Sequence, residues 1–372
     1  MRTTQLGLSV SMEIKFHPFG GANRIVEYSR IAFSFICACH GLKTDFVLVR
    51  RILLPFWLIG APVFPVTRMI FVLSFSQTIR EPASLSEVVS ALGAPVIFEL
   101  AVLMSVWMFV SRSRGGVESL QCHIRNPFEV VFPLICVLQF IPHVMYPLGN
   151  TGYARILLHY SHFFFFRVSG AVFFMVFFAA VNSLIAQLDD LIDHLGKPRI
   201  DWDLLVVERW RIRRNIRNVN ACFAWPLSLR FLHVFCAIIF TSAVLMTPGS
   251  KRLKNSLLSN AILYTLHILF AAFKASECAK LALNVENKFA RVFEMHSRMR
   301  NGGITEKMLD IFRYREELDS LEVACWPLNL GGFVKFSSIV ITSVAAVLQF
   351  DYKVVRAITK LGERNSSTGQ PA

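Results

Sequence analysis

Ser338, Thr342 and Gln349 are separated by four and then seven residues inside a run, 333–355, that is otherwise lipid-soluble. That spacing returns to one side of a helix, with Ala345 or Ala346 between, so the three polar side chains form a stripe. Unpaired polar groups in hydrocarbon cost several kcal/mol. The stripe therefore needs a packed neighbouring helix, for which Ser, Thr and Ala are favoured, or water, in which case it is the wall of a pore. Glu99 and Arg167 are ionisable residues deep in other apolar runs. Each is a functional-site candidate by default, and the alternative is an ion pair between their helices.

Catalytic and metal chemistry has little support. The ten His fall without His-x-x-x-His spacing, no Cys-x-x-Cys occurs, and Cys37-Ala-Cys39 is too close for ordinary zinc geometry without distant partners. Asp189, Asp190 and Asp193 read as a solvated face or as partners for the arginines of 209–217. No glycine-rich phosphate loop is present, and neither a cofactor nor an enzymatic activity is expected.

The elements that position these residues are membrane helices. The chain of 372 residues is 54% hydrophobic and only 17% charged, with mean hydropathy +0.50 and 34 Phe. A soluble domain carries about a quarter charged residues. Seven segments are long enough to cross about 30 Å of hydrocarbon: 52–76, 88–110, 128–148, 156–181, 227–247, 257–278 and 333–355. The stretch 31–41 is too short, and no cleavable signal peptide is expected at the start. Arg230 and His233 sit near the start of the fifth segment; if that start is cytoplasmic, Arg230 can snorkel to the inner interface. The fold class is thus all-α, a polytopic membrane protein.

Charge orients it. With the N-terminus inside, the inner segments hold 25 Lys and Arg and the outer segments eight. The C-terminus is then outside, which reverses the topology of a G-protein-coupled receptor. The net charge of +14 reads as a topology signal and an attraction to the acidic inner leaflet, not as nucleic-acid binding. Cys37, Cys39, Cys122, Cys222 and Cys325 fall inside and Cys136, Cys236 and Cys278 within spans, so no external disulfide is expected. The sequon at Asn365 falls on the outer tail.

The C-terminal third carries a resemblance. Thr342-Ser343, five residues, then Gln349-Phe350 is similar to the Thr-Tyr, five residues, Gln-Phe signature of the seventh helix of insect gustatory receptors. The preceding Cys325-Trp-Pro-Leu-Asn-Leu-Gly331-Gly332-Phe333 resembles that family's small-residue and Gly-Phe approach. Ser343 stands where the family has Tyr, which marks a divergent member of these arthropod seven-transmembrane chemoreceptors. The resemblance covers about the last 30 residues directly, and the rest by length and topology. It implies a ligand-gated, non-selective cation channel in the plasma membrane of sensory dendrites, a homotetramer or a heteromer with related receptors. Gln349 and Phe350 would lie at the constriction, Thr342 and Ser338 below it, and Asp351 would form a cation-concentrating ring. A small-molecule tastant, permeant cations and membrane lipid are the partners so implied.

The expected organisation is a cytoplasmic segment 1–51, helices one to six over 52–278 with a cytoplasmic extension 182–226, anchor helices 279–332, the pore helix 333–355 and an outer tail 356–372. Within the anchor, Leu281, Val285, Phe289, Val292, Met295 and Met299 recur at helical spacing, and so do Met308, Ile311, Phe312, Leu318 and Leu321. A turn at Asn301-Gly302-Gly303 separates the two, and Gly196-Lys-Pro198 breaks the fourth helix. An outward pocket draws on Glu99, Gln139, His143, Tyr146, Tyr160, Phe163, Arg167, Tyr264 and His267, with His159, His162, Phe166 and Thr241 as further candidates. Aromatics with a few imidazole and hydroxyl groups suit a small amphipathic molecule of bitter type, though singly such aromatics are more often bundle core than ligand cage. The competing readings are a secondary transporter using Glu99, Arg167 and Lys274, and a receptor-like homologue that does not conduct.

Overall fold

A computed structural model describes residues 13–16, 24–39, 46–53, 55, 119–126, 128–131, 133, 168–197, 202–246, 251–299, 321–323, 326–328, 331–346 and 349. Long helices dominate: α1 Arg24–Cys39, α2 Ser169–Leu195, α3 Trp202–Met246, α4 Lys251–Met299 and α5 Gly331–Ala346. Three of them, over Gly170–Leu195, Leu204–Ile239 and Ala261–Val292, are long and apolar enough to cross a membrane.

The apolar run of α2 goes all the way round the helix, which suits an element enclosed on every side. Residues 171–185 are all buried, and α2 packs against both α3 and α4. Phe173, Phe177 and Phe223 meet at ring-centroid distances of 5.3–5.5 Å, and Phe178 meets Phe270 at 4.7 Å. Edge and tilted geometries of this kind add to simple area burial. The helix stops where Gly196 follows Leu195: the Gly196 N–H donates to the Asp193 carbonyl at 3.1 Å. Lys288 of α4 donates to the Ile192 carbonyl at 2.9 Å, satisfying an acceptor that a helix C-terminus leaves open.

Helix α3 runs through Pro226 without ending. A proline removes one rung of the backbone ladder, and packing on both sides keeps the helix going. Helix α4 fuses the expected sixth span to the first anchor pattern with no interruption. Val285, Phe289 and Val292 are buried along it, whereas Met295 is exposed. Beyond the apolar layer, Arg209 of α3 grips both oxygens of Glu286 of α4 at 2.9–3.0 Å, and Asn215 donates to Gln187 of α2 at 2.7 Å. The arginines of 209–217 thus reach Glu286 and, through Arg211, Glu208 at 2.6 Å. Of the aspartates at 189, 190 and 193, the last two are exposed, in keeping with the solvated face that was the other reading of them.

Two short ladders, which periodicity did not suggest, join the helices. Strand β1, Glu13–Phe16, pairs in parallel with β2, Ser119–Cys122, from Glu13 opposite Ser119 to Phe16 opposite Cys122. The next residue, His123, donates its N–H to the Ala179 carbonyl at 2.8 Å, fastening β2 to α2. Cys122 and Ile124 are buried there, as are Phe33 and Cys37 of α1. The second ladder, β3 Glu322–Val323 with antiparallel β4 Trp326–Pro327, lies just before α5 and is closed by a 2.6 Å bond from the Leu328 N–H to the Leu321 carbonyl. Strands of two and four residues have no room for an alternating pattern. Among the described cysteines, Cys37, Cys39, Cys122, Cys222, Cys236 and Cys278 are free thiols.

Candidate functional site

The polar stripe comes first. Ser338 and Thr342 lie in α5 and are exposed, and Gln349 is helical and exposed beyond it. Thr342 Oγ1 donates to the Ser338 carbonyl at 2.9 Å, an intrahelical bond that satisfies the hydroxyl without a second helix. Val340 is the buried residue of α5, and two residues turn a helix by about 200°, so Ser338 and Thr342 stand opposite it. Gln349 falls between those two directions, and Ala345 and Ala346 are exposed beside them. The packed side of the helix includes Phe336, whose ring lies 4.9 Å from Phe231 of α3. Within one protomer, then, the stripe faces away from the bundle. Phe350 and Asp351 lie outside the described residues.

Three of the pocket candidates can be placed, Thr241, Tyr264 and His267. Tyr264 and His267 lie one turn apart on α4. The His267 ring is buried, 5.0 Å from Phe174 of α2, and its Nδ1 lies 2.8 Å from the Leu263 carbonyl. A carbonyl only accepts, so Nδ1 carries the proton. Tyr264 lies 4.5 Å from His233 of α3. Three helices converge here, and Arg230 completes the group with its guanidinium 5.5 Å from Phe173 and 5.8 Å from Phe174.

Arg230 corrects an expectation. It is 2% exposed and stacked on aromatic faces, not extended to an interface. Gly170 explains how it fits: a Cβ there would stand 3.1 Å from Arg230 Nη2, so the absent side chain makes room for the guanidinium. Stacking suits the flat, weakly hydrated guanidinium. Its neighbour His233 is also 2% exposed, and Thr241 is buried higher on α3. Glu99, Gln139, His143, Tyr146, Tyr160, Phe163 and Arg167 lie outside the described residues, as do His159, His162 and Phe166, so the expected pair of Glu99 with Arg167 does too.

A second polar group gathers around Lys274, the residue of the transporter reading that can be placed. Lys274 of α4 is 2.9 Å from Glu129 Oε1 and donates to Asn182 Oδ1 of α2 at 3.2 Å. Asn182 Nδ2 donates to the other Glu129 oxygen, and the Asn126 N–H adds a bond at 3.4 Å. Arg125 holds Glu277 at 3.3 Å, and Glu277 lies 3.6 Å from Lys274. A lysine held at once by a carboxylate and by an amide of a second helix fastens these segments together. Arg125 and Glu129 are four residues apart and Lys274 and Glu277 three, but that these two segments meet at Asn182 of α2 is visible only in the packed bundle.

No protein-family profile matches the chain, and no curated protein is significantly similar to it. Among solved structures, the insect olfactory receptor OR5 from Machilis hrabei is similar to it with TM-score 0.65 and 12% identity, covering 88% of this chain and 100% of that one. The same receptor in complex with eugenol aligns with TM-score 0.44 and 11% identity over 92% and 94% of the two chains. From the first of these similarities, the chain has the all-α, multi-span membrane fold of an insect chemoreceptor.

Proposed function

We propose that the chain is a gustatory-type chemoreceptor subunit, a ligand-gated non-selective cation channel that assembles as a tetramer and opens on a small organic tastant. The observation that carries this reading is the direction of the stripe. Ser338, Thr342 and Gln349 face away from their own bundle, opposite the buried Val340, and the Thr342 hydroxyl is already satisfied within the helix. A polar face turned away from the described bundle, on the last described helix of an insect-receptor fold, suits a water-filled axis shared by several copies. The N-terminus is inside and the C-terminus outside, as the distribution of Lys and Arg favours. The ligand occupies the junction of α2, α3 and α4 near Tyr264 and His267, where aromatic walls surround a few polar groups.

Expression in cells without added G protein tests it. Addition of an agonist should evoke cation currents, and Gln349→Ala should change ion selectivity or rectification. Currents whose selectivity ignores that substitution would remove the pore role of the stripe. Saturable uptake without current would favour a transporter, for which Lys274 would have to leave its present partners. A ligand that binds without current or uptake would identify a receptor that does not conduct.

A further inference from the structure

We propose that the exposed face of α3 holds the headgroup of a multiply phosphorylated anionic phospholipid of the inner leaflet, through Arg214 and Arg217. The proposal uses the orientation given above but not the channel activity. One side of α3 is buried through Ile212, Ile216, Val219 and Phe223, while Arg214, Arg217, Ala221, Trp225 and Leu232 are exposed at three-, four- and seven-residue steps along the other. The order along that face is that of a phospholipid. Leu232 offers an apolar contact at acyl depth. Trp225, exposed just before Pro226, is the amphipathic ring that prefers the membrane–water boundary.

At 1.5 Å per residue, Arg217 lies about 12 Å and Arg214 about 16 Å beyond Trp225 on the inner side. A simple phosphodiester sits level with the indole and reaches neither. A headgroup that carries further phosphates outward on a ring reaches both. Ala221, between Arg217 and Trp225 on that face, leaves the helix surface low where such a ring must lie. Guanidinium groups bind phosphate oxygens in pairs, which favours the arginines found here over isolated charges. Arg211, at the edge of the face, is held by Glu208 at 2.6 Å. An anionic headgroup complements the charge of the two arginines, which makes lipid the occupant that charge favours.

Full-length protein purified in detergent would be titrated with a short-chain phosphatidylinositol bisphosphate, alongside short-chain phosphatidylcholine and soluble inositol trisphosphate. The bisphosphate lipid should bind, and R214Q/R217Q should bind it about thirtyfold more weakly, the loss expected for two basic residues near an anionic surface. R214K/R217K should keep most of the affinity. A221W, which leaves every charge in place, should weaken binding by filling the gap. Equal binding of phosphatidylcholine, equal binding of the soluble trisphosphate, or unchanged binding by R214Q/R217Q would each overturn the assignment. A change in particle size of R214Q/R217Q on gel filtration would do so too, by showing that the face meets another copy. None of these readouts needs a current, so lipid binding beside a Gln349→Ala channel of unaltered permeation would sink the channel reading alone.

Discussion

At the scale of single residues, the buried charges set the sharpest tests. Glu129 and Lys274 have side chains 6% and 11% exposed and hold each other at 2.9 Å. Removing one partner of such a pair leaves an uncompensated charge, which costs roughly 3–5 kcal/mol. Lys274→Met should therefore lower the unfolding midpoint in detergent sharply, and Lys274→Met with Glu129→Leu should restore much of it. A double mutant as unstable as the single one would show that the pair is not the relevant partner. At Gly170 the balance is finer. Alanine relieves glycine's helix penalty of about 0.5–1 kcal/mol but presses on Arg230 Nη2 at 3.1 Å, so Gly170→Ala should be close to neutral. Gly170→Leu should cost about 1–3 kcal/mol by overpacking, read from the same midpoint.

The buried thiols give a pH dependence. Burial pushes the Cys37 and Cys122 thiols above the ordinary value of 9.0, and each lies near another cysteine that pushes the same way. The unfolded chain releases these protons first as pH rises, so it binds fewer protons than the folded one and stability falls. The contribution is complete below pH 9 and declines above it. In the folded protein both thiols should resist maleimide at pH 8, where Cys39, only partly buried, should react faster.

At the scale of elements, legibility followed the length of the pattern. The apolar runs behind α2, α3 and α4 and the stop at Gly196 could be read because each spans several helical turns or uses a residue with a special backbone role. Strands β1 to β4 could not, because two to four residues carry no period and their partners lie far along the chain. The misreading of Arg230 has a similar cause. Whether an arginine reaches water or lies on Phe173 and Phe174 depends on which helix stands beside it, and a gap at Gly170 is visible only once α2 and α3 meet. The tie between β1 and β2 yields a prediction at this scale. Deleting residues 1–23 removes β1 and uncovers the edge on which Cys122 sits. Maleimide labelling of Cys122 should then rise several-fold, and unchanged labelling would show that β2 keeps its place through α2 alone.

At the scale of the whole molecule, the composition established a membrane bundle, and the TM-score of 0.65 over 88% of the chain agrees at only 12% identity. Such a fold survives sequence drift because it needs apolar length and a few satisfied polar groups more than particular residues. Of the candidate site, the helical spacing of Ser338 and Thr342 was legible, whereas the packing of His267 on Phe174 and of Tyr264 on His233 was not. The joint between bundle and stripe was not, since Phe231 and Phe336 are distant in sequence and ordinary in type. A double-mutant cycle on these two rings, each changed to Leu, should give a coupling of about 0.5–1.5 kcal/mol in stability; a value near zero would detach α5 from α3.

Helices α3 and α4 lie side by side but differ in stiffness. The first carries Pro226 near its middle, whereas the second has 49 residues with neither proline nor glycine. At 1.5 Å per residue α4 is a beam of about 70 Å. A tilt imposed near Tyr264 must swing Glu286 and Phe289 at its far end as one lever arm, while α3, jointed at its proline, can bend to follow.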